Sequence, residues 1–476
     1  MSRRAVVIGA GLAGMLAAAA LDGVVDEVLV LDRDELPEGP EQRRGLPQGH
    51  HAHLLMAGGI AAMEELVPGG RLRKTLLAAG AHEISLGRGM VALTPHGWLR
   101  RWRHEGPHMI TCTRALLDWT VRQAVVESTR VEIRRGRVEG LLGDGGRVTG
   151  VRVSGSGEDG EDLTADLVVD ASGRGSRVLN WLELIGISGI TERTVDAGLV
   201  NATRVYRTPP GAERFPLTMV QADPYASRPG RSGMVLPIEG DRWMVSLAGT
   251  RGGEPPADPE GFLRYTLDLP DPIVGRLISG AEPLTDVRIG HSTSNVRRYL
   301  EKARRWPEGF VVLGDAVATF NPAYGQGMSV AAFGARVLSE EVRRTGLTAP
   351  ELARRVQRGV ARTVDAAWTM AVSQDVWYPE ARGGGPGFAD RLAAAYSRRL
   401  TGAATGSYVA ASALWDVTSM TAGPARLLRP GAVLAATLGS PLPPLAGPPL
   451  TPEERGVLRA LDRTGVAGAG DEGAGR

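Results

Sequence analysis

Three short segments carry residue types that act on a ligand through backbone and carboxylate. Gly9-Ala10-Gly11-Leu12-Ala13-Gly14 follows the apolar run Ala5-Val6-Val7-Ile8 and opens a helical stretch. Gly9 suits a tight turn, Gly11 lets backbone approach a pyrophosphate, and Gly14 lets helix and strand pack closely. Asp32, followed by Arg33, ends the next apolar run, where a carboxylate can accept ribose hydroxyls. Far downstream, Val311-Val312-Leu313 runs into Gly314-Asp315 and a loop with Pro322, Gly325 and Gly327, before a helix predicted to start near Met328. Such a loop turns N–H groups and the positive end of a helix dipole toward an electron-rich ligand. The third segment, Leu167-Val168-Val169-Asp170-Ala171-Ser172-Gly173, is a buried strand ending in a turn. A carboxylate at Asp32 favours an unphosphorylated ribose, hence FAD or NAD. Only a long dinucleotide such as FAD would also reach Asp315.

Other groups with chemical potential read as structural. His50, His51 and His53 lack a His-Glu-x-x-His pattern, and the sole cysteine, Cys112, is remote, so no metal site is expected. Gly-x-Ser-x-Gly is absent, which argues against a serine hydrolase. Trp98 and Trp102 among Arg100, Arg101 and Arg103 fit a strand or pocket wall better than a nucleic-acid strip. A net charge of +2 is too small to argue for nucleic acid. No acid–base pair stands out, and no catalytic residue is assigned.

The elements that must position these segments follow from periodicity. Ala5–Ile8, Val28–Leu31 and Leu167–Val169 read as buried parallel strands, and 12–22 and 114–128 as helices. Residues 131–133, 138–142 and 148–153 read as a small antiparallel ribbon. Longer strands at 198–207, 217–222, 233–238 and 243–249 suggest a separate sheet, and one last strand lies around 284–296. Beyond 345 the pattern is helical near 350–375, 387–402, 405–421 and 424–437, with the apolar residues of 387–438 read as packing faces. The fold class expected is α/β: a Rossmann-type FAD-binding domain with an inserted antiparallel β-sheet substrate domain and a helical C-terminal region. The FAD-binding domain takes 1–80, 110–190 and 284–345; the substrate domain takes 81–109 and 191–283. The helical region takes 346–463, and 464–476, rich in Gly and Ala, is an expected disordered tail. Ala5 to Leu21 reads as strand plus helix rather than a signal peptide, and with one cysteine this suggests a cytoplasmic protein without membrane insertion.

Taken together, Gly9–Gly14, Asp170-Ala171-Ser172-Gly173-Arg174-Gly175-Ser176 and Gly314-Asp315-Ala316 through Gly325-Gln326-Gly327-Met328 resemble the flavoprotein monooxygenases of the para-hydroxybenzoate hydroxylase fold. The resemblance implies FAD between the nucleotide domain and the sheet, with Asp315 on the ribityl hydroxyls. It implies that the helix near Met328 faces the flavin N1–C2=O edge and that Arg114 lies near the phosphates or ribityl chain. Val138, Arg44 and Gln48 join the implied cofactor-binding set, with Gly9, Ala10, Gly11, Ala13, Gly14, Asp32, Arg33, Arg114, Gly173, Asp315, Pro322, Gly325, Gly327 and Met328. Arg44-Gly45-Leu46-Pro47-Gln48 with His51-Ala52-His53, Ala367-Trp368 with Tyr378-Pro379, and Pro448-Pro449-Leu450-Thr451-Pro452-Glu453-Glu454 look like the flavin epoxidases of bacterial polyether biosynthesis.

That likeness implies transfer of one oxygen atom from O2, through a flavin C4a-hydroperoxide, to alkenes of a hydrophobic polyketide or polyether precursor. Phenol hydroxylation and alkene reduction of the geranylgeranyl reductase type are the alternatives. A flavin-binding structural or sensor protein is the non-enzymatic rival. The halogenases of this fold add a Trp-x-Trp-x-Ile-Pro segment, which is absent. Aromatic hydroxylases usually carry Asp-Gly where this chain has Ser172-Gly173, so the electron source is either NAD(P)H or a separate flavin reductase.

Overall fold

The computed structural model describes residues 3–67, 69–154, 160–291 and 293–471, with side chains through residue 463. Five strands form a parallel sheet in the order Phe310–Val312, Leu167–Asp170, Arg4–Ile8, Glu27–Asp32, Val131–Arg135. Helices cover both faces, so the central strands are continuous apolar runs, and Val6, Val7, Val168, Val169 and Val311 are fully buried. Register fixes the rest. Ile8 pairs with Asp170 and with Leu31, and Asp170 with Val312, so Gly9, Asp32, Ala171 and Leu313 all emerge at one edge. Ligands of open α/β sheets bind at this C-terminal edge.

Val131–Arg135 departs from the expected ribbon and becomes the fifth parallel strand beside Glu27–Asp32. The chain turns at Gly136, whose N–H donates to the Asp32 carbonyl and where a Cβ would sit 2.9 Å from Val153 Cγ1. The ribbon is instead Arg137–Gly143, Val148–Ser154 and Glu161–Thr164.

The second large sheet has seven strands in the order Arg288–Gly290, Val200–Arg207, Arg242–Gly249, Arg231–Ile238, Leu217–Val220, Met90–Thr94, Gly97–Trp98. It is antiparallel except where Leu217–Val220 runs parallel to Met90–Thr94. Alternation sends Val235, Val245 and Leu247 against Phe262 and Ile273 of helices Pro259–Leu267 and Ile273–Ile278. Leu236, Ile238 and Met244 face the other way, onto Leu400, Ala403 and Trp415 of the C-terminal helices. The single strand expected around 284–296 is two. Arg288–Gly290 joins this sheet, and Asn295–Arg298 pairs with Glu192–Val195 and Ala318–Thr319.

The C-terminal helices span Leu352–Asp375, Phe388–Ala404, Tyr408–Thr418 and Pro430–Leu438. The apolar residues of 387–438 are only partly packing faces. Ala410, Trp415 and Ala432 are buried, whereas Phe388 is 81% and Leu438 77% exposed. Helix Pro430–Leu438 is apolar on every side, so one stripe can be covered and the rest faces outward. A last helix, Pro452–Asp471, continues past residue 464, where the disordered tail was expected to begin; residues 472–476 lie outside the described residues. No described helix is long and apolar enough to cross a membrane.

Candidate functional site

At the sheet edge the three glycines of the first motif have different reasons to be glycine. Gly9 has φ +99°, and a Cβ there would lie 2.7 Å from the Ala171 carbonyl oxygen. A Cβ on Gly14 would lie 1.7 Å from the Gly9 oxygen. Gly11 is the contrast, because a Cβ there meets nothing within 4 Å. Gly9 and Gly14 answer to the protein's own packing, and Gly11 to open space beside the start of helix Leu12–Leu21. That helix has neither a side-chain N-cap bond nor an acidic residue in its first turn. Its leading N–H groups therefore suit an anion. Ala13 links this motif to the late one, since a Cβ on Gly314 (φ +61°) would lie 2.8 Å from Ala13 Cβ.

Asp32 is buried and already engaged. Its Oδ2 accepts from Ala10 N at 2.7 Å and from Arg43 Nη2 at 2.7 Å, and its Oδ1 accepts from Asp34 N at 2.9 Å. Arg43 also donates to the Ala10 carbonyl at 3.0 Å. The adjacent Arg44, one of the expected cofactor-binding residues, is exposed, as are Gln48 and Arg33. Nothing in the spacing separates Arg43 from Arg44; the path of the loop does, by returning Arg43 to the Asp32 carboxylate. Val138 is buried in strand Arg137–Gly143, opposite Val153, and its side chain belongs to the core.

In the middle motif Asp170 is fully buried and bonded by the turn that follows it. Ser172 donates to Oδ1 through N (3.0 Å) and Oγ (2.6 Å), and Ser176 Oγ donates to Oδ2 at 2.6 Å. Burial pushes the Asp170 carboxyl up from its ordinary range, and these serine bonds oppose that rise. Ser172 is thus turned inward, while Gly173 (φ +81°) has open space where a Cβ would stand. The turn Gly173–Gly175 packs on Gly314–Ala316, joining the second and third motifs.

Asp315 sits partly buried where these segments meet. A Cβ on Gly327, the first residue of helix Gly327–Thr345, would lie 4.0 Å from its Oδ1. Burial pushes the Asp315 carboxyl up, and Arg114 and Arg174 pull it down. Arg114 opens helix Arg114–Ser128 and donates to Asp118 Oδ1 at 2.7 Å. The preceding Thr113 is held by Glu239, from the strand turn of the large sheet, through N at 3.0 Å and Oγ1 at 2.6 Å. Pro322 is exposed, Gly325 has φ +65°, and Met328 is buried. Gln326 Oε1 and Ser329 Oγ are buried without a hydrogen-bond partner among the described residues.

The histidines near this loop act as packed hydrogen-bonding groups. His51 Nδ1 lies 2.9 Å from Thr203 Oγ1, and His53 Nδ1 lies 2.8 Å from the His51 carbonyl oxygen. Burial, then neighbouring positive charge, lowers His51 to about 4 and His53 to about 3. Both are neutral at pH 7. Among the described residues no three His, Cys, Asp or Glu side chains are grouped to hold a metal ion. Burial, then Glu239 and Asp118, pushes the Cys112 thiol up to about 12, far from a working nucleophile.

An open strand-to-helix turn, a buried carboxylate at the end of the next strand, and a second carboxylate that burial pushes up and Arg114 and Arg174 pull down form an arrangement that fits a dinucleotide of FAD length. The donor set fits that cofactor: a backbone cradle left open at Gly11 and Gly173, cationic Arg114 and Arg174, and Asp315 beside a helix start. The chain belongs to the FAD binding domain family, which matches residues 3–342. It is 33% identical over 399 residues to Protein Rv3254 of Mycobacterium tuberculosis, covering 79% of this chain and 81% of that protein. It is 28% identical over 345 residues to digeranylgeranylglycerophospholipid reductase 2 of Methanopyrus kandleri, covering 70% and 75%. Among solved structures, PqsL of Pseudomonas aeruginosa, a probable FAD-dependent monooxygenase, superposes with a TM-score of 0.58 at 18% identity, covering 78% of this chain and 96% of that one. The fold is therefore that of the para-hydroxybenzoate hydroxylase-type flavoproteins.

Proposed function

We propose that this protein is an FAD-dependent monooxygenase that transfers one oxygen atom from O2 to an alkene of a hydrophobic polyketide-type substrate. The observation that carries the reading is what adjoins the late loop. A Cβ on Gly325 would lie 3.2 Å from Met56 Cε and 3.7 Å from Leu54 Cβ, and both residues belong to the apolar cluster between the large sheet and the C-terminal helices. Partly buried Met90, Met219, Met234, Trp102 and Tyr408 extend that cluster. Methionines adapt to an irregular apolar chain, whereas a phenol hydroxylase needs a polar group to activate its ring.

Reduced FAD, when bound, supplies the activation of O2. The chain's own residues bind, orient and exclude water. Gly9–Gly14 would hold the phosphates, Arg114 the phosphates or ribityl chain, Asp32 a ribose hydroxyl through the acceptor capacity left beside Ala10, Asp34 and Arg43, and Asp315 the ribityl hydroxyls. The methionine-rich wall aligns the double bond and keeps out water that would divert oxygen into peroxide. Electrons come from NAD(P)H or from a separate flavin reductase, and the site of action is the cytoplasm.

A second reading, alkene reduction, draws on the archaeal relative, whose name describes a reductase of geranylgeranyl chains. One experiment separates the readings. A polyene is incubated with enzyme, a flavin reductant and heavy-isotope oxygen, and its products are weighed by mass spectrometry. One labelled oxygen without phenol formation is the expected result. Addition of two hydrogens without label would establish the reductase, and an unchanged polyene with a labelled catechol from a parallel incubation with a phenol would establish the aromatic hydroxylase.

A further inference from the structure

Asp375 ends helix Leu352–Asp375 and is 1% exposed. Its Oδ2 accepts from Asn295 Nδ2 at 2.6 Å and Asn321 Nδ2 at 2.9 Å, and its Oδ1 accepts from the Tyr324 hydroxyl at 2.7 Å. Asn295 Oδ1 accepts from Asn321 N at 2.7 Å, and Asn321 Oδ1 accepts from Ala323 N at 3.0 Å. Every partner of the carboxyl is a neutral donor; burial pushes it up from its ordinary range, the bonds from Tyr324, Asn321 and Asn295 oppose that rise, and among the described residues no ion pair includes Asp375. Keeping a carboxylate buried without a cation is expensive, and such groups need a reason beyond packing. The segment it grips, 321–325, is the loop between Asp315 and helix Gly327–Thr345. The grip is on the inner side, and Pro322 and Ala323 face outward.

We propose that Asp375 is a positioning residue, a buried hydrogen-bond latch that fixes loop 321–325 in the shape that receives the flavin. Resting on the assignment of that loop to FAD, the inference adds how its shape is held from behind. Two asparagines set the backbone at Asn321 and Ala323, Tyr324 sets the far end, and one carboxylate ties them to the end of a long helix. An asparagine at 375 keeps the size of the side chain but loses charge and one acceptor. Its oxygen can accept from both asparagine amides, but its Nδ2 can only donate to the Tyr324 hydroxyl, whose proton then loses its buried acceptor.

The test uses the purified holoprotein and Asp375→Asn, Asp375→Ala and Tyr324→Phe variants. Two readouts are taken: the FAD dissociation constant from flavin fluorescence on titration into flavin-stripped protein, and the position of the bound flavin's visible absorption band. Asp375→Asn should weaken FAD binding about tenfold, the scale of one charge-assisted hydrogen bond, and Asp375→Ala more. Tyr324→Phe removes one hydroxyl from a partly exposed loop residue and keeps the test readable if the Asp375 variants do not fold. It should weaken FAD about fivefold and shift the band in the same direction as Asp375→Asn. A lowered melting temperature with unchanged FAD affinity and spectrum in Tyr324→Phe and Asp375→Asn would overturn the latch and leave only a core role. Wild type that binds no FAD would instead overturn the cofactor reading itself.

Discussion

The edge of the parallel sheet and the C-terminal helices are both built from small and apolar residues, yet they hold their places in opposite ways. At the edge, backbone is approached closely: Gly14 meets the Gly9 carbonyl, Gly9 the Ala171 carbonyl, and Gly314 the Ala13 methyl. No other residue type fits those approaches. In the helices, Ala410, Trp415 and Ala432 fill space that other apolar residues of similar volume could fill, and Leu434 and Leu438 lie mostly in solvent. Fixed geometry suits the cofactor of an FAD binding domain, and permissive packing suits the substrate wall proposed for the helical side.

The sharpest way to break this contrast lies inside the first motif. Gly14→Ala should destabilise the protein by about 3 kcal/mol or abolish folding, because its Cβ has no room beside the Gly9 oxygen. Gly11→Ala has room in the protein alone, so its flavin-stripped form should melt within a degree or two of wild type while FAD affinity drops. Equal melting losses in the two variants, by calorimetry, would remove the distinction between packing glycine and ligand glycine. Next in size is Arg43→Ala. It leaves the buried Asp32 carboxylate without its guanidinium partner and should cost about 2–3 kcal/mol in urea unfolding. Arg44→Ala, in an exposed side chain, should stay within about 0.5 kcal/mol. The reverse order would show that the Asp32–Arg43 ion pair does not hold this loop in solution.

That pair also marks how far the sequence is legible. Parallel strands, glycine turns and the carboxylates at Asp32 and Asp315 can be read from spacing, because each follows from local backbone demands. Arg43 against Arg44 cannot, since choosing between neighbours requires knowing where a Pro- and Gly-rich loop lies. Val131–Arg135 was misplaced because a short alternating run looks the same in a ribbon as at a sheet edge, and only the bend at Gly136 separates them. Asp375 was invisible, because its partners Asn295, Asn321 and Tyr324 come from segments that meet only in three dimensions. The exposure of Leu434 and Leu438 was equally hidden: an all-apolar helix does not say which of its faces the fold covers.

Asp315 offers a subtler version of the same contrast, stability traded for binding. Its folded-state carboxyl is raised above 3.8 chiefly by burial, so the folded protein holds this proton more tightly than the unfolded chain. The ionised group therefore lowers stability as pH rises through its folded pKa, and the cost vanishes below the ordinary carboxylate range. Flavin-stripped Asp315→Asn should be more stable than wild type at pH 7, with the gain shrinking toward pH 4, while FAD affinity falls. A gain that does not change with pH, or undiminished FAD retention, would detach Asp315 from the cofactor. The histidines run with the opposite sign. His53 is lowered to about 3 from 6.5, so its contribution is present above 6.5 and lost as pH falls. His53→Gln should therefore lose less stability than wild type between pH 6.5 and 4, and parallel curves would show that His53 titrates normally.

The smallest expected effect belongs to the helical side. Leu434→Ser and Leu438→Ser remove methyl groups already in solvent, so each should change unfolding free energy by no more than about 0.5 kcal/mol. Trp415→Ala, in the same helical region but facing Met244 and Leu236 in the apolar cluster, should cost about 3–5 kcal/mol. Read against Gly14→Ala, the three define a gradient. Backbone approach tolerates no side chain, buried packing tolerates a change of shape but not of volume, and the outer stripe of an apolar helix tolerates both. A Leu434→Ser loss comparable to that of Trp415→Ala would mean the stripe is covered in solution, and the contrast between the rigid sheet edge and the permissive helices would then end at residue 430.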